Sequence, residues 1–414
     1  MPISSLEKAL AKFASPASAS DVKALSWNLL REDLNLPAAV LSQANLLHNA
    51  AWMQQFIAAY GVQLAPHGKT TMTPALFRLQ LRTGAWGITL ATAQQTAVAY
   101  EHGVRRVLLA NQLVGKQNMA LIARLLADPE FEFFCLVDSP ILVEQLAAFF
   151  GERKLRLNVL LELGVEGGRT GVRNEEQAQA VLDAIAAHKD SIALCGVEIY
   201  EGLLDSDDAV RAYCQRAVTV TNDLLAKKLF DRERPILTGA GSAWYDIVAE
   251  EFSAVDLRDK AEIVLRPGCY LTHDVGVYKT SQQKILERNP IAKKMHSSLK
   301  PALQIWAYVQ SIPEPEKAII AMGKRDAAFD AGLPLPALHY RPGSAAPQPA
   351  SSQWEVTKMM DQHAFMKITA GDGLRVGDML AFDISHPCLT FDKWRWLAVV
   401  DDSYQIVDLM QTFF

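Results

Sequence analysis

The chain has 414 residues, half of them hydrophobic, with 41 basic and 46 acidic side chains and a net charge of −5. That length exceeds one ordinary domain, and the apolar share supports a large core without disulfides or a structural metal. Charges of both signs are interspersed with no basic run, which argues against nucleic acid or an anionic membrane as partner, and no apolar stretch has the length of a spanning helix.

The five cysteines, at 135, 195, 214, 269 and 388, are odd in number and lack CxxC spacing, so reduced thiols in a cytoplasmic protein are expected. Met1 to Lys8 lacks the charged-then-apolar order of a secretory leader.

Residues 1–40 stand outside any repeat and are expected to pack on a β-domain. From 41 to 275 the pattern predicts strands over 62–65, 86–90, 106–110, 131–137, 155–163, 193–200, 235–238 and 262–266. Amphipathic helices are predicted between them, over 74–83, 92–102, 116–127, 140–150, 175–188, 207–227 and 243–252. Continuously apolar strands point to a parallel sheet covered on both faces, and eight strand–helix repeats favour a closed barrel. Over 276–414 the texture changes to strand-like runs at 303–310, 318–321, 354–359, 364–368, 378–384 and 396–400, with few helix signals. Residues 323–352, rich in Gly, Pro, Ala and Ser, predict a long loop. The expected fold class is α/β: a (β/α)8 TIM-type barrel at 41–275 and a C-terminal antiparallel β-domain at 276–414.

Barrel active sites lie at the carboxyl ends of the strands. The first strand ends in Pro66-His67-Gly68-Lys69-Thr70. A lysine held there suits Schiff-base chemistry, because partial desolvation lowers an amine's pKa and makes it nucleophilic. The fifth ends at Glu162 before Gly168-Arg169-Thr170-Gly171, the sixth in Tyr200-Glu201-Gly202, and the eighth in Arg266-Pro267-Gly268-Cys269-Tyr270. The seventh ends in Thr238-Gly239-Ala240-Gly241-Ser242, where small residues at a helix start would let backbone N–H groups cradle a phosphate. An ordinary tight turn is the alternative. The third glycine of a dinucleotide fingerprint would fall at Trp244, and the first glycine of a Walker loop at Gln63, so neither motif is present. Lysine, phosphate cup and arginine on one rim point to pyridoxal 5′-phosphate (PLP), held by Lys69 as an imine.

A second constellation is Ser385-His386-Pro387-Cys388. In an extended segment His386 and Cys388 would point to one side, as a soft divalent metal such as zinc requires. Waters or a third side chain such as His363 would complete the site. A packed histidine and a buried thiol are the alternative.

Taken in order, these motifs resemble the PLP-dependent D-threonine aldolase and D-serine dehydratase group, built on the alanine-racemase-like barrel (fold type III). Leu34-Asn35-Leu36-Pro37-Ala38-Ala39-Val40-Leu41 looks like the family's opening L-x-T-P-x-x-V-L, and Pro66-His67-Gly68-Lys69-Thr70 its R-P-H-x-K-T. Arg169-Thr170-Gly171-Val172 is similar to R-x-G-V, Tyr200-Glu201-Gly202 to Y-x-G, and Asp361-Gln362-His363 to E-E-H. Thr238 to Ser242 resembles the phosphate loop, and His386-Pro387-Cys388 the metal motif. Ala65, Gly68, Ala240 and Gln362 depart from the pattern.

The resemblance implies that Lys69 carries PLP, that Arg169 faces the pyridine nitrogen, and that Tyr200 with Thr238, Gly239, Ala240, Gly241 and Ser242 hold ring and phosphate. It implies that His386 and Cys388 bind a divalent metal, zinc or else manganese, and that the protein is a homodimer. The expected activity is dehydration of a D-amino acid such as D-serine or D-threonine to a 2-oxo acid and ammonia. Lys69 would be the base, and the metal would act on the β-hydroxyl. The family's His-x-Cys pair leans to dehydratases and His-x-Asp to aldolases. Retro-aldol cleavage of a D-3-hydroxy amino acid with His67 as base, dehydration of a bulkier substrate, and PLP binding without turnover are the alternatives.

Overall fold

The short apolar runs become the staves of a barrel, because each is flanked by turn residues and covered by a helix. In this computed structural model Lys8, residues 22–253, Leu257 and residues 259–414 are described. Half of residues 1–40 thus fall outside the described residues; among the rest the N–H of Leu29 donates to Tyr404 O and that of Ile406 to Trp27 O. Lys8 itself ion-pairs with Asp326 at 2.5 Å and lies over the Trp394 ring.

Strand β1 (Ala38–Ser42) leads into α1 (Gln43–Tyr60), and the barrel proper comes next. Its order is β2 (Gln63–Leu64), α2 (Pro74–Arg82), β3 (Ile88–Leu90), α3 (Ala93–Glu101), β4 (Arg106–Gln112), α4 (Lys116–Leu125), β5 (Glu132–Val137) and α5 (Pro140–Gly151). The second half runs β6 (Leu157–Leu163), α6 (Glu175–Ala187), β7 (Ile192–Ile199), α7 (Asp207–Ala226), β8 (Ile236–Gly239), α8 (Tyr245–Ser253) and β9 (Glu262–Leu265). Side-chain caps set several helix starts: Thr92, Ser139, Asn174 and Ser206 each accept a backbone N–H from the first turn.

The eight strands β2 to β9 form one parallel sheet in the order β2-β9-β8-β7-β6-β5-β4-β3. Its ends meet: the N–H of Trp86 donates to Leu64 O at 2.7 Å and that of Thr89 to Pro66 O at 2.9 Å, so the sheet curls closed. Side chains such as Leu108, Phe134, Leu160, Ile236 and Val264 fill its interior.

After the barrel come two helices that the apolar pattern does not predict, α9 (Val277–Arg288) and α10 (Pro290–Lys294). They pack on the barrel, with Tyr245 donating to Gln282 at 2.6 Å and Arg288 clamping Asp246. The β-domain then contains β10 (Leu303–Glu314), β11 (Lys317–Ile320), β12 (Leu335–Tyr340), β13 (Gln348–Pro349), β14 (Glu355–Met359), β15 (Ala364–Lys367) and β16 (Met379–Asp383). A one-turn helix α11 (Cys388–Phe391), β17 (Trp396–Val400) and β18 (Ile406–Gln411) complete it. Strands β12 and β13 lie inside the stretch expected to be loop. The sheet is antiparallel except at one place: β1 enters it from the other end of the chain, antiparallel to β10 and parallel to β17. The domains meet where the N–H of Phe413 donates to Met72 O, and that of Val275 to Ile384 O.

Candidate active site

Beyond β2 the chain turns sharply through Gly68, Lys69 and Thr70 and presents the Lys69 side chain to a cavity at the barrel mouth. The glycine is required: a Cβ on Gly68 would stand 2.8 Å from Ile88 Cγ2 and from Phe77 Cε1, both fixed in the core. The cavity walls include His67, Arg169, Tyr200, Ala240, Gly241 and Arg266, so the strand-end residues converge as expected for a barrel mouth.

The electrostatics favour a reactive amine. Crowding by protein atoms lowers the Lys69 pKa below the usual lysine value, with the Cys388 thiol opposing and Arg169 assisting. Burial holds His67 well below the usual imidazole range, and the charge of Lys69 adds to this, so the ring is neutral. Its Nδ1 is buried without a partner.

Arg169 stacks on the Tyr200 ring, 4.9 Å from its centroid. Deeper in the wall Arg266 pairs with Glu198 and also donates to Ile199 O at 2.8 Å. Burial pushes the Glu198 carboxyl up to about 8, against the opposing pull of Arg266. Arg266 Nε and Glu198 Oε2 have no partner. With His67 Nδ1 they are orphaned polar atoms gathered at one cavity, a donor and acceptor set that fits a heteroaromatic ligand bearing polar substituents. Glu198 carried no signal in the sequence beyond its strand, because only the fold turns that side chain to the mouth.

The β8 turn is more occupied than expected. Thr238 donates its hydroxyl to Val264 O at 2.7 Å and so ties β8 to β9. The N–H groups of Ala240 and Gly241 donate to the buried Glu201 carboxylate at 3.1 and 2.7 Å, with Ala240 in the left-handed region at φ 77°. Ser242 Oγ accepts from the N–H groups of Gly268 and Cys269 at 3.2 and 3.1 Å. The Gly268 and Cys269 amides, with the Ser242 hydroxyl they bind, are the donors at this turn that could hold a phosphate, whereas Gly239 packs against Ile199 and Val248. Gly268 cannot carry a side chain, since a Cβ would lie 2.7 Å from both His67 O and Thr70 Oγ1.

The β-domain places its own chemistry against this rim. Cys388 Sγ lies 3.6 Å from Thr70 Oγ1, next to the lysine, and 3.9 Å from Cys269 Sγ. His386 is hydrogen-bonded to Cys388 and, through Nδ1, to Asp330 Oδ2 at 2.7 Å. The thiol bond to Cys388, reinforced by Asp330, pushes His386 up to about 9. Hydrogen bonds from Cys269, His386 and Thr70 hold the Cys388 thiol far below its ordinary value.

The expectation of an extended His-x-Cys segment is corrected. Pro387 is helical at φ −62°, ψ −45°, and Cys388 opens α11, because the proline ring suits a helix start. The two side chains still meet, through the turn rather than along a strand. Among the described residues no group of three or more His, Cys, Asp or Glu side chains stands ready to hold a metal. His363 is exposed in the turn between β14 and β15 and is not a partner of either residue. His386 and Cys388 are therefore two soft donors of the kind a divalent ion takes, and a third protein ligand is not in place among the described residues.

Among the described residues no helix is long and apolar enough to cross a membrane. Residues 41–258 match the family model described as alanine racemase, N-terminal domain, and residues 302–400 match a putative serine dehydratase domain. D-threo-3-hydroxyaspartate dehydratase from Delftia sp. (strain HT23) is 28% identical over 186 residues, 44% of this chain and 48% of that one, so the match spans about half of that relative. D-threonine aldolase from Filomicrobium marinum superposes with a TM-score of 0.77 at 19% identity, over 94% of this chain and 97% of the other. A cysteine-to-alanine mutant of D-threo-3-hydroxyaspartate dehydratase, in the metal-free form, gives 0.71 at 20% identity over 94% and 99%. These two likenesses are of fold. The chain belongs to the alanine racemase N-terminal domain family, with a putative serine dehydratase domain joined to that barrel.

Proposed function

We propose that this protein is a PLP- and divalent-metal-dependent lyase that dehydrates a D-3-hydroxy amino acid, of the D-serine or D-threonine type, to a 2-oxo acid and ammonia. The observation that carries the reading is the approach of Cys388 Sγ to Thr70 Oγ1 at 3.6 Å, which sets the β-domain's His–Cys pair beside the lysine turn. The metal-free form described for the related dehydratase supports a metal role for that pair.

Bound PLP would supply an electron sink for the negative charge left at the substrate Cα. Lys69 would hold the cofactor and would take the proton from the substrate Cα; its lowered pKa favours the neutral amine that a base requires. Arg169 and Tyr200 would orient the ring as a stacked unit. Ser242 with the Gly268 and Cys269 amides would receive the phosphate. His386 and Cys388 would hold the metal, whose Lewis acidity would make the β-hydroxyl a better leaving group.

A second reading, retro-aldol cleavage, rests on His67: a neutral ring at the cavity with an unpartnered Nδ1 could accept the β-hydroxyl proton. Product analysis separates the two. The PLP-loaded protein is incubated with D-serine, D-threonine and D-threo-3-hydroxyaspartate, with and without EDTA. A 2-oxo acid and ammonia, lost with EDTA and restored by zinc or manganese, supports dehydration. Glycine plus an aldehyde moves the protein to the aldolases, and neither product leaves PLP binding alone.

A further inference from the structure

Cys269 has no part in the chemistry proposed above beyond its backbone amide, yet its thiol is placed with care. It sits just past β9, its sulfur 3.9 Å from Cys388 Sγ and 3.9 Å from Thr70 Oγ1, with the Tyr278 hydroxyl hydrogen-bonded to it. Cys135, Cys195 and Cys214 are buried, and none of them is a hydrogen-bond partner of this pair. The two sulfurs come from different domains, Cys269 from the barrel rim and Cys388 from the first turn of α11.

A disulfide needs sulfurs about 2.05 Å apart, so closure asks for a movement of roughly 2 Å. Exposure gives the pair an order. Cys388 is partly exposed, whereas Cys269 is buried at 4%. An oxidant entering from the mouth meets Cys388 first, and Cys269 stands behind it as a resolving thiol.

We propose that Cys269 and Cys388 are a peroxide-oxidisable dithiol that closes to a disulfide across the barrel and β-domain and withdraws Cys388 from metal binding. In the first step the Cys388 sulfur attacks hydrogen peroxide, the O–O bond breaks, and a sulfenic acid and one water form. In the second the Cys269 sulfur attacks that sulfenic sulfur, the S–O bond breaks, and a second water leaves with the Cys269 proton. Two thiols are oxidised and one peroxide is reduced. The loss of metal rests on the role proposed for Cys388; the disulfide does not.

The test uses the full chain, metal-free and zinc-loaded, treated with stoichiometric hydrogen peroxide and mapped as peptides without reduction. In the metal-free protein the peptides bearing Cys269 and Cys388 are expected to appear joined, two hydrogens lighter than their sum. Titratable thiols of the denatured chain should fall from five to three. Dithiothreitol should restore both thiols and zinc binding. In Cys269→Ser given a second equivalent of peroxide, the Cys388 sulfenic acid should pass to sulfinic acid with loss of another water, and zinc binding should not return on reduction. Absence of the joined peptide in the unsubstituted protein would overturn the proposal, and needs no variant to fold. Zinc-loaded protein should resist oxidation. If it crosslinks as fast as the metal-free form, the dithiol stands and the metal role of Cys388 falls.

Discussion

Asp330 holds Nδ1 of His386 at 2.7 Å, from a loop 56 residues earlier in the chain. Both side chains are partly exposed, so as an ion pair the contact adds little stability. Its effect is orientation: with Nδ1 engaged by Asp330, Nε2 is the nitrogen that remains for Cys388 or for a metal in its place. Carboxylates behind ligating histidines commonly raise affinity in this way. Asp330→Asn should weaken zinc binding by about 10–100-fold, read by calorimetry, while the melting temperature of the metal-free protein barely moves. Asp330→Glu should recover part of the loss. An unchanged zinc affinity in Asp330→Asn would show that the contact is incidental.

Replacing His386 by Ala should abolish tight metal binding and β-elimination, yet leave the cofactor chromophore bound at Lys69. Metal content by atomic absorption and the visible spectrum of the same sample test both halves. Full dehydratase activity in that variant would end the metal assignment.

Lys69 gives a pH signature in the ligand-free protein. Its folded-state pKa is lowered from 10.5, so between the lowered value and 10.5 the unfolded chain binds more protons than the folded one. Stability contributed at this site therefore rises with pH across that window. Lys69→Met removes the buried charge, so the variant should melt higher than the parent at neutral pH, with the gap closing as pH approaches 10.5. Melting temperatures of both proteins from pH 7 to 10.5 provide the comparison; parallel curves would contradict it. The variant should also show no cofactor imine band.

Gly68→Ala should test the lysine turn. The added methyl meets Ile88 and Phe77 at 2.8 Å, and neither can withdraw from a filled core. Overpacking of this kind costs about 1–3 kcal/mol. Urea unfolding should report that loss, and imine formation should slow because the turn moves Lys69. A variant as stable as the parent would show that the turn has slack.

Much of this architecture was legible because its signals are local. The eight staves read as apolar runs, and the rim residues lie immediately past the carboxyl end of each run. Gly68, a departure from the family pattern, makes sense only in the structure, where the Phe77 and Ile88 side chains fill its Cβ space. Helix α9 gave no apolar stripe: over Val277–Arg288 the buried side chains are Gln282 and Ile285. Strand β12 carries Pro336 and is mostly half-exposed, so period-two alternation is absent. Asp330 and Cys269 could not be joined to the metal motif from sequence, since only tertiary folding brings them to His386 and Cys388. The spacing argument brought His386 and Cys388 together through the wrong backbone, because a proline between them favours a helical start over a strand.

The position of β1 has a consequence for how the chain is made. Its hydrogen-bond partners lie at residues 303–306 and 398–400, on the far side of the barrel in sequence. During synthesis the barrel staves emerge with their neighbours close behind, whereas β1 leaves the ribosome with both edges bare. It must wait until β17 has been translated before its second edge is covered. The β-domain is thus completed only once β17 has been made, and a chain cut short before residue 398 would keep an open strand edge prone to pairing with other chains.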